Sequence, residues 1–97
     1  MATYIVLANF TEQGIRNVKD TGKRAEAFKT LAKGSGVTVK DTYWTLGSYD
    51  IVAILDAPDD ATVTALGLSL GQGGNVRTQT MRAFSADEMA KILAQVK

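Results

Sequence analysis

Tyr49-Asp50-Ile51-Val52-Ala53-Ile54-Leu55-Asp56 holds five consecutive apolar residues, Ile51 to Leu55, between polar ends. A run this short, bounded this way and apolar on both alternating faces, reads as a strand in the interior of a sheet. Thr3 to Phe10 reads alike, with Tyr4, Val6, Ala8 and Phe10 on one face and Ile5 and Leu7 on the other. Two further strands are more polar. Val37 to Leu46 carries Thr38, Lys40, Asp41, Thr42 and Thr45, and Val76 to Phe84 carries Arg77, Thr78, Gln79, Thr80 and Arg82. Gly47-Ser48 is expected to join the second and third strands as a two-residue turn, glycine first.

Helices are expected between and after these strands. Thr11 offers an N-cap hydroxyl. Ile15, Val18, Gly22, Ala25, Phe28, Leu31 and Ala32 then recur at helical spacing until Gly34-Ser35-Gly36. Gly22 lies on that stripe, which suggests close packing on a sheet. Pro58 suits the first position of a second helix that runs to about Leu70 and stops at Gly71-Gln72-Gly73-Gly74. Ser85-Ala86-Asp87-Glu88 is a capping box opening a short C-terminal helix striped by Met89, Ile92, Leu93 and Val96.

The order βαββαβ plus one helix predicts an α+β, ferredoxin-like sandwich on a four-stranded antiparallel sheet. In that topology strands one and three are central and two and four are edges. Polarity and connectivity therefore agree independently. Helices cover one face of such a sheet, yet both central strands are apolar on both faces. The second face must be covered by another subunit, the C-terminal helix or a ligand. A homo-oligomer is expected, most simply a dimer packed sheet to sheet.

Composition narrows the chemistry. The 97 residues, 45% hydrophobic and 22% charged, suit one folded domain spanning residues 1–97 and exclude a disordered chain. Cysteine and histidine are absent, which removes disulfides, Cys/His zinc sites, thiol nucleophiles and histidine acid–base chemistry. The carboxylates have no metal-ligand spacing, and no cofactor is expected. Eleven Lys and Arg against ten Asp and Glu leave a net charge of +1, so no electrostatic case exists for nucleic acid or an anionic membrane. The basic excess from Arg16 to Lys33 reads as a solvated helix face. No apolar run reaches the ~18 residues of a membrane span, and no basic region precedes the first apolar stretch. A cytoplasmic location is the default expectation.

The candidate site residues cluster at the hairpin. Across a two-residue turn Trp44 would face Ile51, Thr45 would face Asp50 and Tyr43 would face Val52. Trp44 and Tyr49 would then share one face, and Tyr43 and Asp50 the other. Asp50 is the one weak candidate for a catalytic group, as a buried carboxylate with a raised pKa. Its plainer role is to accept hydrogen bonds from neighbouring backbone amides. Arg77 and Arg82, five apart, fall on opposite faces. One of them could pair Asp50 or hold an anionic ligand; edge-strand protection is the simpler role. The glycine run at 71–74 follows a helix C-terminus, the wrong polarity for a phosphate loop.

Taken in order, several of these pieces resemble the GYD domain family. They are Tyr4-Ile5-Val6-Leu7, Thr11-Glu12-Gln13-Gly14-Ile15-Arg16-Asn17, Gly47-Ser48-Tyr49-Asp50, Pro58-Asp59-Asp60, Gly74-Asn75-Val76-Arg77-Thr78 and Arg82-Ala83-Phe84. Ser48 is inserted into the Gly-Tyr-Asp signature. The resemblance covers nearly the whole chain. It implies a small bacterial protein of the dimeric α+β barrel group and no particular activity.

The first functional expectation is a homo-oligomeric module, structural or binding a small, partly apolar molecule in a sheet-face cleft near Trp44, Tyr49, Asp50 and Arg77. The alternative is a cofactor-independent enzyme, monooxygenase- or isomerase-like, with Asp50 as base. RNA binding ranks last, because strand three presents Ile51 to Leu55 where aromatic residues would be needed.

Overall fold

The apolar and polar strands sort as their composition requires. In the computed structural model, which describes residues 1–97, they form one antiparallel sheet in the order β2-β3-β1-β4. Here β1 is Ala2–Phe10, β2 Thr38–Trp44, β3 Ile51–Ala57 and β4 Val76–Ala83. β1 pairs with β3 from Ala2↔Ala57 to Ala8↔Ile51 and with β4 from Thr3↔Ala83 to Phe10↔Val76. The two apolar strands are the central pair and the polar ones the edges. The fold is the expected ferredoxin-like α+β arrangement.

Four helices complete the chain: α1 Glu12–Arg16, α2 Thr21–Gly34, α3 Asp60–Gln72 and α4 Ala86–Leu93. The continuous helix expected after Thr11 is broken. A short 3-10 turn, Val18–Asp20, separates α1 from α2, and Asn17 leaves the helical region at φ −106, ψ 27. Ile15 and Val18, read as core positions, are exposed. α3 begins after Pro58 and Asp59. Asp59 is its N-cap and accepts from the Thr62 amide at 2.8 Å. The capping box on α4 forms as expected.

One face of the sheet carries the core. Tyr4, Val6, Ala53, Leu55 and Ala57 pack under Ala32, Val37, Val63 and Leu66. Leu55 is 1% exposed and Tyr4 3%. The Tyr4 hydroxyl donates to Asp60 at the start of α3, so a buried phenol has its required partner. That bond, with burial and the Asp60 charge, raises the phenol pKa above its ordinary value.

Gly22 does not make the close approach expected of it: a Cβ there would meet nothing within 4 Å. Gly14 makes it instead. A Cβ at Gly14 would lie 1.9 Å from the Asn75 carbonyl oxygen, so only glycine lets α1 lie against the loop before β4. The Thr11 backbone amide donates to that carbonyl at 3.0 Å, the Thr11 hydroxyl to the Gly74 carbonyl at 2.5 Å, and the Gln13 side-chain amide to the Gly73 carbonyl at 3.1 Å.

Candidate functional site

The opposite sheet face has no helix on it. Side chains alternate along each strand, so Ile5 and Leu7 of β1 point away from the core, as do Val52 and Ile54 of β3. Register adds Met81 and Ala83 from β4 and Tyr43 from β2. Met81 is 39% exposed and Tyr43 55%. The C-terminal helix does not cover this surface. Its tie to the sheet is the 3.2 Å ion pair between Glu88 and Arg82, and Arg82 lies beside Tyr4 on the core face. Met89 and Leu93 of α4 are themselves exposed.

The rim of the open face is polar. Asp56 and Asp41 sit toward the β2 edge, with Lys40 3.9 Å from Asp56 and the Thr3 hydroxyl donating to Asp56 at 3.2 Å. Arg77 lies on β4 at the diagonally opposite corner, across from Asn9, and forms no ion pair within the chain. Arg77 and Arg82 thus fall on opposite faces, as their spacing requires. Asp50 pairs with neither.

The hairpin is looser than a two-residue turn. β2 ends at Trp44 and β3 begins at Ile51, leaving residues 45–50 as the connection. The pairs Trp44↔Ile51 and Tyr43↔Val52 form as expected, and the Thr45 amide donates to the Asp50 carbonyl at 2.8 Å. Beyond them the register lapses, because the Asp50 amide turns to β1 and donates to the Ala8 carbonyl at 2.9 Å. Gly47, at φ +103, provides a conformation that side-chain-bearing residues avoid.

This detour separates the candidate residues. Trp44 lies on the core side, where its indole N–H donates to the Thr21 hydroxyl at 3.0 Å. Tyr49 goes to the open side, where its hydroxyl donates to Gln79 at 3.1 Å. Trp44 and Tyr49 therefore do not share a face. Asp50 accepts from the Phe10 amide at 2.9 Å, on the side of β1 where pairing with β3 has ended at Ala8↔Ile51. Its carboxylate extends the β1–β3 ladder by one bond beyond the last strand pair. Of the residues singled out, Tyr49 and Arg77 rim the open face, Asp50 fastens its end, and Trp44 sits behind it.

Two constellations escaped the sequence reading. The first is the clasp of Thr11, Gln13 and Gly14 on Gly73-Gly74-Asn75. The second runs from Asp60 through Tyr4 to Arg82, Phe84 and Glu88, with the Arg82 guanidinium 4.5 Å from the Phe84 ring centre. The Ser85 amide and then Arg82 hold the Glu88 carboxyl below its ordinary pKa. Each joins residues more than fifty positions apart, so no local pattern announces it.

Comparison with known proteins agrees with this architecture. A curated protein of Thermus thermophilus, named "Glutamine synthetase and cystathionine beta-lyase binding protein", is 36% identical over 98 residues and the match spans 100% of both chains. A solved structure, also from Thermus thermophilus, superposes with a TM-score of 0.58 at 25% identity, covering 89% of this chain and 96% of that one. The crystal structure of a protein called FFRP-DM1 superposes with a TM-score of 0.61 at 19% identity, covering 87% and 100%, and shares the fold. The GYD domain family model matches residues 4–93, including the Thr11–Gly14 and Gly74–Thr78 segments that clasp one another. The chain belongs to the GYD domain family.

Proposed function

We propose that this protein is a binding module that works as a homodimer, two copies packed sheet to sheet, with the helices left outward to engage another protein. The observation that carries the reading is the open face: an apolar stripe of Ile5, Leu7, Val52, Ile54 and Met81 inside a polar rim. An apolar centre depleted of charge, ringed by polar groups, is how protein interfaces are built. A two-fold axis makes such a patch complementary to itself. It can also bring Arg77 of one copy toward Asp41 or Asp56 of the other, pairing a cation that has no partner within its own chain. Tyr49 would close the rim beside Gln79. The protein-binding half of the proposal draws on the Thermus relative, whose name gives glutamine synthetase and cystathionine beta-lyase as its partners.

Light scattering after size exclusion tests the dimer, and capture of purified glutamine synthetase from the same source organism tests the partner. Wild type should run as a dimer at micromolar concentration. Ile54→Glu should run as a folded monomer, because an unpaired carboxylate cannot be buried in the stripe. A monomeric wild type, or an Ile54→Glu variant that remains dimeric, would refute the interface.

A further inference from the structure

The core face is not filled evenly along the strands. At one end Tyr4 and Leu55 occupy the space beneath Val63 and Leu66. Farther along, the side chains facing the helices shrink from Tyr4 to Val6 to Ala8 on β1 and from Leu55 to Ala53 on β3. Above these small residues α2 and α3 stand apart, and a cleft of about 260 Å³ opens between them. Its floor is Val6, Ala8 and Ala53, and Phe28 of α2 and Leu70 of α3 wall it. Interiors are ordinarily packed to crystal density, with few voids larger than a water molecule. A dry apolar cavity of ~150 Å³ already takes up benzene, so this cleft has room for one ring or a branched chain and a short tail.

Its polar groups select the tail. Arg24 is the only charged residue in the lining. Its guanidinium donates to the Asn17 carbonyl at 2.9 Å and the Gly14 carbonyl at 3.5 Å, and no carboxylate pairs it. Thr42 adds a hydroxyl on the β2 side. No aspartate or glutamate lines the cleft to receive an ammonium group. We infer that the cleft between α2 and α3 binds a small apolar monocarboxylic acid, its ring or branched chain over Ala8 and Ala53 and its carboxylate on Arg24. The site lies on the opposite side of the sheet from the proposed dimer face and stands or falls independently of it.

Titration of the intact protein with 3-phenylpropanoate, followed by amide NMR and by the fluorescence of the only tryptophan, tests this. Trp44 reports on the site because it hydrogen-bonds the lining residue Thr21. Saturable shifts should centre on Ala8, Ala25 and Ala53. The neutral 3-phenylpropanamide and the zwitterion phenylalanine should each bind at least about tenfold more weakly, the scale of one charge-assisted hydrogen bond. Arg24→Gln should remove that preference. Ala53→Leu should fill the floor and abolish binding; Ala27→Leu, at an exposed lining position, blocks the mouth without touching the core. No saturation up to ~10 mM, a millimolar affinity being the weakest a real site would show, would overturn the assignment. So would equal affinity for acid and amide, or binding that survives in Ala27→Leu.

Discussion

The two faces of the sheet are made from the same two strands and differ in what lies on them. On the closed face, Tyr4, Ala53, Leu55 and Ala57 are buried under α2 and α3; one residue along, Ile5, Val52 and Ile54 are only half covered, by their own neighbours. Hydrophobicity alone does not separate them: Ile54 is as apolar as Leu55. Connectivity does, since both βαβ crossovers place their helices on one side. The edge strands then adjust to each face. On the open side they contribute Asp41, Gln79 and Arg77, which confine the apolar area to a central stripe. That stripe is the surface on which the proposed dimer rests.

The largest expected effect separates adjacent residues on the two faces. Leu55→Ala removes a side chain that is 1% exposed and should cost about 2 to 5 kcal/mol of folding free energy at every protein concentration. Ile54→Ala should cost the single chain less. Its loss should instead depend on concentration, because the proposed dimer would bury that side chain fully. Denaturant unfolding of both variants over a hundredfold range of concentration, roughly the range over which linkage becomes measurable, reads this directly. Equal and concentration-independent losses would mean that the two faces are energetically alike and that the open face has no partner.

A second test concerns what holds the helices to the closed side. Gly14→Ala places a methyl group against the Asn75 carbonyl, where backbone rather than a flexible side chain must yield. Overpacking of this kind should cost about 2 to 3 kcal/mol. Gly22→Ala should not destabilise at all, since the added methyl meets nothing and alanine favours helix by up to ~1 kcal/mol. Thermal unfolding of the two variants should move in opposite directions. A neutral Gly14→Ala would show that the clasp on Asn75 is dispensable.

These residues also show what could be read from the sequence. Strand order followed from Ile51–Leu55 and Tyr4–Phe10 because central strands apolar on both faces leave a nearly continuous apolar run that periodicity detects. Helix caps at Thr11, Asp59 and Ser85 are local too, although the helix expected to open at Pro58 starts two residues later, at Asp60, which makes Asp59 its cap. Gly14 was invisible because its constraint comes from Asn75, sixty-one positions away. The site residues failed to converge for a related reason. Turn geometry was inferred from Gly47-Ser48 alone, whereas the backbone of Asp50 is claimed by Ala8 of the neighbouring strand. That long-range bond sends Tyr49 to one face and leaves Trp44 on the other. The cleft under α2 and α3 was beyond reach altogether, because it arises from the separation of two helices rather than from any residue pattern.

The smallest expected effect contrasts a helix packed on the closed face with one that stands off it. Asp59 caps α3 and Glu88 closes the capping box that Ser85 opens on α4, and both carboxyls sit below their ordinary values, Asp59 through the Thr62 amide and Glu88 through the Ser85 amide and Arg82. A depressed folded-state pKa means fewer protons bound when folded. Each contribution is therefore complete above the ordinary carboxylate range and is lost as pH falls below it, through the folded-state value. Asp59→Asn and Glu88→Gln keep a capping side chain while removing the titration. Since α3 covers Leu55 and Tyr4, Asp59→Asn should flatten the acid side of the global stability curve. Since α4 leaves Met89 and Leu93 exposed, Glu88→Gln should act mainly on hydrogen exchange within residues 86–93 and much less on global unfolding. If Glu88→Gln flattens the global curve as much as Asp59→Asn does, then the Arg82–Glu88 pair ties α4 to the core as firmly as α3, and the packed and outlying parts of the molecule unfold as one.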